Sequence, residues 1–323
     1  MSDAVVPRQP NASAKARPAP AGWIARALES DLFYSFRRSK LTMVAATVTM
    51  LFFLLAIFAS LLSVQNPFDP AQLQLINSRI PPLWMDEGQS PFLLGTDEQG
   101  RDMLSAILYG LRISLVVGVL GVLFSGTLGI LLGLVAGYVG GAVDSLIMRI
   151  ADVQLTFPAI LIALIVNGVA KSVFGNRLDA ISMLIVLVFA IGLSFWVQYA
   201  RTVRGSVLVE KNKDYVAAAQ LIGLPAPVIM LRHVLPNAMG PVLVIATINL
   251  ALAIITEATL SFLGVGLPDT MPSLGTLIRI GNNYLFAGEW WIVAFPGIAL
   301  AVLILSINLL GDWLRDALNP KLR

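Results

Sequence analysis

Six stretches of this chain are apolar on every side for roughly the 17 to 25 residues that a helix needs to cross about 30 Å of hydrocarbon. They are Leu41 to Leu62, Ile113 to about Tyr138, Val153 to Ala170, Ala180 to Ala200, Val234 to Thr256 and Trp290 to Gly311. Barrel strands would instead alternate polar and apolar residues over about ten positions. The pattern therefore predicts an all-α integral membrane protein with six transmembrane helices. Ahead of the first span, Ile24, Leu28, Leu32 and Phe36 recur at every fourth position, with Arg26, Glu29 and Arg37 among the polar positions. That spacing predicts an amphipathic helix over residues 23–40, lying at the membrane interface or docked on a partner. Residues 1–22, rich in Ala, Pro and basic residues, are expected to be a disordered tail.

Composition agrees. Of the 323 residues, 57% are hydrophobic and 13% charged, whereas about a quarter of a soluble domain is charged. There is no cysteine, which excludes disulfides and thiolate sites, and the single histidine, His233, argues against a multi-histidine metal centre or a Ser/His triad. The net charge of +3 is small, but its distribution orients the chain. With a cytoplasmic N-terminus, 16 of the 22 Lys and Arg residues fall on the inner side, as the positive-inside rule requires. Both termini are then expected to be cytoplasmic, with an outer loop over residues 64–112 and an inner connection over residues 201–237. The first apolar run begins too far along the chain, and is too long, for a cleaved signal peptide, so it is expected to be a retained anchor.

The inner connection contains DYVAAAQLIGLPAPVIMLRHVLPN, from Asp214 to Asn237. Asp214 can start a helix, and Tyr215, Ala219 and Ile222 are spaced to share one side. Gly223 supplies a left-handed stop and Pro225 bars continuation. Pro227 suits the first turn of a second short helix, which Pro236 is expected to end before the fifth span. The segment resembles the EAA loop of bacterial ABC importer permeases, with Ala217, Ala218 and Ala219, then Gly223, then His233, Leu235 and Pro236 at the family's spacing. Ala217 replaces the family's Glu and His233 its Ile. The resemblance extends to LGTDEQGRDMLSAILYGLRISLVVG (94–118), to ITEATLSFLGVGLPDTMPSLGTL (255–277) and to GDWLRDALNPKLR at the C-terminus. These are similar to C-type permease subunits of the dipeptide, oligopeptide and nickel importer family.

The resemblance implies a type I importer permease domain over residues 41–323 in a bacterial inner membrane. It implies a heterodimer with a second permease, two ABC ATPase subunits docked on the coupling loop, and an extracytoplasmic substrate-binding protein. Asp214, Tyr215, Ala217, Ala218, Ala219, Gly223, Leu235 and Pro236 would carry the ATPase coupling. Peptides are the leading substrate class implied, with nickel complexes and glutathione open. No cofactor is expected on this chain, with ATP and Mg held by the partner ATPases, and no nucleic-acid role is expected. Independently, GVAKS (168–172) lacks the Gly before Lys that a phosphate-binding loop needs, so the energy source must lie on another chain. The absence of HExxH and GxSxG argues against an intramembrane enzyme. A gradient-driven carrier or channel is the competing class, but it would place several ionisable groups near the midplane.

Other residues carry weaker expectations. Gly129, Gly133, Gly137 and Gly141 recur every four residues, predicting a smooth ridge for close helix packing or for sliding. Pro158 and Pro296 predict kinks that shape a cavity. Glu257 is the carboxylate expected at membrane depth, as a pathway or gate residue or in a structural pair. Arg149 and Asp152 are spaced to pair with each other. Thr96 and Gln99 are spaced as a capping box that starts a short helix or serves an outer gate, and Asp97, Glu98 and Asp102 are expected to form an acidic external patch.

Overall fold

The computed structural model describes residues 31–174 and 179–318. The tail and residues 23–30 of the expected interfacial helix lie outside the described residues. The remainder of that helix is α1, Asp31–Arg38, and Phe36 on it packs edge-on against Trp313, with ring centroids 5.3 Å apart. Ser39 then ends one helix and starts the next. Its Oγ accepts the Thr42 N–H at 3.2 Å and caps α2, Lys40–Ile57.

Five helices are long and apolar enough to cross a membrane, or six if one bent pair is a single span. They are α2; α3, Met103–Val139; α6, Ala180–Glu210; the continuous stretch Ala226–Phe262, whose main part is α8, Leu235–Phe262; and α10, Trp291–Ala317. The bent pair is α4, Gly141–Leu155, with α5, Ala159–Phe174. The short helices include α7 at Asp214–Leu221 and α9 at Leu274–Asn282, and a single turn at Ala59–Leu62 follows α2. Among the described residues there is no strand, only an isolated bridge between Thr96 and Asp102.

Several boundaries differ from the expectation. α3 starts ten residues before Ile113, so the outer loop is shorter than 64–112. Arg112, which the pattern took as an end marker, lies inside the helix because its guanidinium donates to the Ala56 and Ile57 carbonyls at 2.7 and 3.0 Å. α6 likewise runs through Arg201 and Arg204 to Glu210, so the inner connection begins at Lys211 and not at 201. Those two charges stay helical because α4 supplies their partners: Asp144 clasps Arg204 with both oxygens, at 2.5 and 2.7 Å, and Asp152 bonds Arg201. Asp152 therefore pairs across helices and not with Arg149. The expected third span over 153–170 is not one helix. It breaks at Thr156, Phe157 and Pro158, and its halves meet at 93°, because Pro158 has no N–H to continue the ladder. Pro296 stays inside α10 with its ring buried.

The core is organised around the α3–α6 crossing. A Cβ added at Gly129 would stand 2.4 Å from the Trp196 carbonyl oxygen, one at Gly133 2.4 Å from that of Ala200, and one at Gly137 2.8 Å from Val207 Cβ. The two backbones touch where these glycines face α6. Gly141 does not belong to the ridge. It has φ +58 with open space around it, and with Gly140 at φ +72 it forms the break between α3 and α4.

Because no side chain fits in this seam, Gly133→Ala is expected to lower the stability of the detergent-solubilised chain by about 1 to 3 kcal/mol. Gly168→Ala, which meets nothing within 4 Å, should leave the melting temperature unchanged or slightly raised. Thermal unfolding of both variants checks this.

Candidate functional site

The segment after α6 folds from its own sequence signals. The Gly223 N–H bonds the Gln220 carbonyl at 3.0 Å and the Leu224 N–H bonds that of Ala219 at 3.1 Å, with Gly223 at φ +78. These paired bonds around a left-handed glycine stop α7 in a Schellman turn. Pro225 and Ala226–Val228 then start the next helix, as expected. Pro236, however, does not end it. The chain passes through a π-helical turn, Ile229–Val234, and continues into α8. A wider turn accommodates a proline that cannot donate to the preceding turn.

The anchoring face of α7 also differs from the expected one. Val216 and Ala219 are buried and Tyr215 half-buried, while Ile222 is 76% exposed. Val216 and Ala219 join Ile229, Val234 and Ala238 against Leu134 of α3 and Val203 and Val207 of α6. A polar knot reinforces this core. Glu210 at the end of α6 accepts from Lys213 Nζ at 2.6 Å and from the Tyr215 hydroxyl at 2.7 Å, and Asn237 Nδ2 donates to that same hydroxyl at 3.3 Å. Lys211 Nζ caps the end of α3 by donating to the Gly137 carbonyl at 2.8 Å. What remains outward is a small, smooth apolar face. Ala217 and Ala218 are exposed beside Leu221, Ile222 and Leu231, at 88%, 76% and 54% exposure. Leu235 is half-buried and Pro236 exposed at the root of this face.

Glu257 lies on α8, fully buried. Ser114 Oγ of α3 and Ser261 Oγ each donate to its carboxylate at 2.7 Å, with Ser273 a third hydroxyl beside it. Ser273 caps α9, and the neighbouring backbones close in: a Cβ at Gly275 would meet the Ala258 carbonyl at 2.3 Å, and one at Gly110 the Leu274 nitrogen at 3.2 Å. One carboxylate thus joins α3, α8 and the start of α9.

The stretch from Thr96 to Asp102 is neither a helix nor an acidic patch. Thr96 Oγ1 donates to the Asn77 carbonyl at 2.6 Å and accepts the Ile80 N–H at 2.8 Å, and the helix starts only at Met103. Asp102 is its cap, taking the Ser105 N–H at 2.8 Å. Asp97, Arg101 and Asp102 are buried, at 0%, 2% and 1% exposure. Asp97 Oδ1 receives the N–H groups of Gln99 and Arg101 at 2.8 and 2.9 Å, and Arg101 Nη2 reaches the Asp269 carbonyl at 2.9 Å. Trp291 Nε1 donates to the Thr96 carbonyl at 3.1 Å, and Arg79 pairs with Glu289 at 3.3 Å. The loop is clasped to the segments around α9 and α10. Alternation and charge gave no sign of this; the LGTDEQGRD resemblance marked the place without showing the clasp.

A bundle of membrane-crossing helices with a two-turn helix docked at one end, an exposed apolar face on it, and a clasped loop on the 64–102 segment is the architecture of a transport permease subunit. Residues 129–323 match the family model described as the binding-protein-dependent transport system inner membrane component, and residues 30–82 match the N-terminal transmembrane domain of oligopeptide transport permease C. The chain is 40% identical over 91% of its length to the di/tripeptide transport system permease protein DppC of Pseudomonas aeruginosa, covering 92% of that protein. It is 35% identical over 91% of its length to the dipeptide permease DppC of Haemophilus influenzae, covering 95% of it, and 35% identical over 92% to the oligopeptide permease OppC of Bacillus subtilis, covering 90%. The chain belongs to the family of binding-protein-dependent ABC importer permeases.

Two outcomes follow from these clusters. Glu257→Leu leaves the serine hydroxyls without their acceptor and is expected to cost about 1 to 3 kcal/mol in detergent unfolding, with Glu257→Gln retaining most of the wild-type stability. At Asp102, burial is the largest influence and pushes the carboxyl above its ordinary value of 3.8; burial does the same at Asp97, against the opposing charge of Arg101. A carboxyl raised by folding adds stability below its ordinary pKa and loses it as pH rises through the folded one. Wild type is therefore expected to lose stability relative to Asp102→Asn as pH rises above about 3.8, read from melting curves of the two proteins. Equal pH profiles would exclude this.

Proposed function

We propose that this chain is one half of a permease heterodimer that imports peptides by alternating access, driven by two ABC ATPase subunits docked on Asp214–Pro236. The observation that carries the reading is the exposed apolar face of Ala217, Ala218, Leu221 and Ile222 on a helix pinned to α6 and α8. Such a face in water is a surface awaiting a partner. Gly223 and Pro236 shape the segment, Tyr215 ties it to Glu210, and Ala219 and Leu235 anchor it. Ala217, where the family has Glu, offers the partner no charge, so docking rests on shape and apolar contact. ATP and Mg belong to the partner subunits, and this chain binds no cofactor of its own. Peptides are the substrate class because the relatives that match over nearly their whole length carry di/tripeptide, dipeptide and oligopeptide transport in their names. An extracytoplasmic binding protein delivers the substrate, and both termini lie in the cytoplasm of a bacterial cell, in keeping with the excess of Lys and Arg on that side. Glu257, at the junction of α3, α8 and α9, and the break at Pro158 are the candidate gate elements, with Pro296 shaping α10 beside them.

Ala218→Arg and Gly223→Pro are expected to leave the chain inserted and assembled with its second permease. Each should abolish peptide uptake while the ATPase subunits either detach or hydrolyse ATP unproductively. Co-purification with mass spectrometry, together with uptake in a strain carrying each variant, provides the readout. Normal uptake in both variants sinks the docking role. Isolation of the wild-type chain without any ATPase, under conditions that preserve complexes, sinks the importer assembly itself.

A further inference from the structure

A groove of about 400 Å³ runs between α2 and α3. Its walls are Phe53 and Ile57 on α2 and Leu115, Val116, Val119 and Leu120 on α3, and its one charged residue is Arg112. On α3 these wall positions follow Arg112 at the intervals of one helical face, so the groove leads from the cation along the helix into purely apolar surface. The depth of that cation follows from α2. Arg37, Arg38 and Lys40 cluster at one end, and Ile57 lies 17 residues beyond Lys40, a rise of about 26 Å against a hydrocarbon thickness of about 30 Å. If the basic cluster sits in one headgroup layer, Arg112 sits at the edge of the other.

Its charge is incompletely answered. Nε and Nη2 hold the Ala56 and Ile57 carbonyls, and the guanidinium lies 5.2 Å from the centre of the Tyr109 ring. Among the described residues no carboxylate forms a salt bridge with Arg112, and its hydrogen bonds to the α2 carbonyls use Nε and Nη2, not Nη1. A guanidinium with a free edge at headgroup depth matches a phosphate, which takes two of its N–H groups at once. A neighbouring apolar helix would fill the groove but leave that edge unanswered.

We propose that the α2–α3 groove is a phospholipid site, with one acyl chain lying between Phe53 and Val119 and the headgroup phosphate held by Arg112. Since the cation has no carboxylate partner, an anionic headgroup such as phosphatidylglycerol is favoured over a zwitterionic one.

The test uses the full chain in phosphatidylcholine nanodiscs that contain a small fraction of phosphatidylglycerol bearing a photoreactive diazirine in its acyl chain. Labelled peptides are mapped by mass spectrometry. Peptides holding Phe53 and Val116 should be labelled about fivefold more than those holding Ile181 and Ile185 of α6, which are 66% and 60% exposed. Val116→Trp, which fills the groove and leaves Arg112 in place, should reduce that labelling to the level of α6. Arg112→Gln should remove the preference for phosphatidylglycerol over an identically tagged phosphatidylcholine. Should Arg112→Gln fail to fold, Val116→Trp still decides. Labelling of the groove no stronger than that of α6, labelling unchanged by Val116→Trp, or a preference for phosphatidylglycerol that persists in folded Arg112→Gln would each overturn the proposal.

Discussion

The backbone-to-backbone seam between α3 and α6 is the constraint on which the other placements depend. Gly129, Gly133 and Gly137 leave α3 without side chains where it meets Trp196, Ala200 and Val207. Association of helices in lipid lacks the water-driven term and rests on such close packing. At Gly129 and Gly133 an added carbon would have to push a peptide group, and at Gly137 the branched Val207 side chain, so the seam cannot be widened by moving a flexible side chain. What lies at its lower end is then fixed in turn. Lys211 takes the Gly137 carbonyl near the end of α3, Arg204 holds Asp144 at the start of α4, and Glu210 ties α6 to Tyr215 of α7. The short helix with the exposed apolar face is hung from the seam.

One rule recurs among the charges near the membrane: a group on another element answers them, fully or, at Arg112, in part. Arg112 takes the carbonyls that end α2, Arg201 and Arg204 take the aspartates of α4, and Glu257 takes serines from α3 and from its own helix. An unanswered charge in hydrocarbon is costly, so each of these residues also specifies which helices must be neighbours. The buried Asp97 and Arg101 do the same work outside the spans, with their backbone and side-chain bonds drawing the loop over α9.

The existence of the spans was legible in the sequence because runs of about 20 apolar residues have few alternatives. Their ends were not, and the cause is the same charge rule. Arg112, Arg201 and Arg204 look like boundaries in one dimension, but are interior residues once a partner helix answers them. Gly223 was readable because a left-handed stop depends only on local chemistry. Pro236 was misleading because a π turn can carry a helix past a proline, and periodicity does not anticipate that widening. Gly129, Gly133 and Gly137 face α6 on one continuous helix. Gly141 failed because a spacing of four says nothing about whether the helix is still continuous. The buried clasp at residues 96–102 was hidden most completely, since a row of acidic residues in a loop carries no sign that distant carbonyls and hydroxyls will cover it.

The π turn and the Glu257 junction lie on one continuous stretch of helix, Ala226–Phe262, which is 37 residues long and therefore about 55 Å from end to end. Its N-terminal half is the less regular part, with Pro225 just before it and Pro227, Pro236 and Pro241 within it. Its C-terminal half carries Glu257 against α3 and α9. A force applied to the exposed face of α7 reaches this helix by two routes, through the Val216 and Ala219 contacts with Ile229 and Val234, and through Tyr215 and Asn237. Because α3 and α6 are locked by the glycine seam, they serve as the fixed reference against which the long helix can tilt. The prolines interrupt the hydrogen-bond ladder near Ala226, whereas near Phe262 the Glu257 carboxylate is held by Ser114 and Ser261. The exposed apolar face of α7 and the serine-bound carboxylate of Glu257, which lie toward opposite ends of this stretch, are thus connected through a single helix.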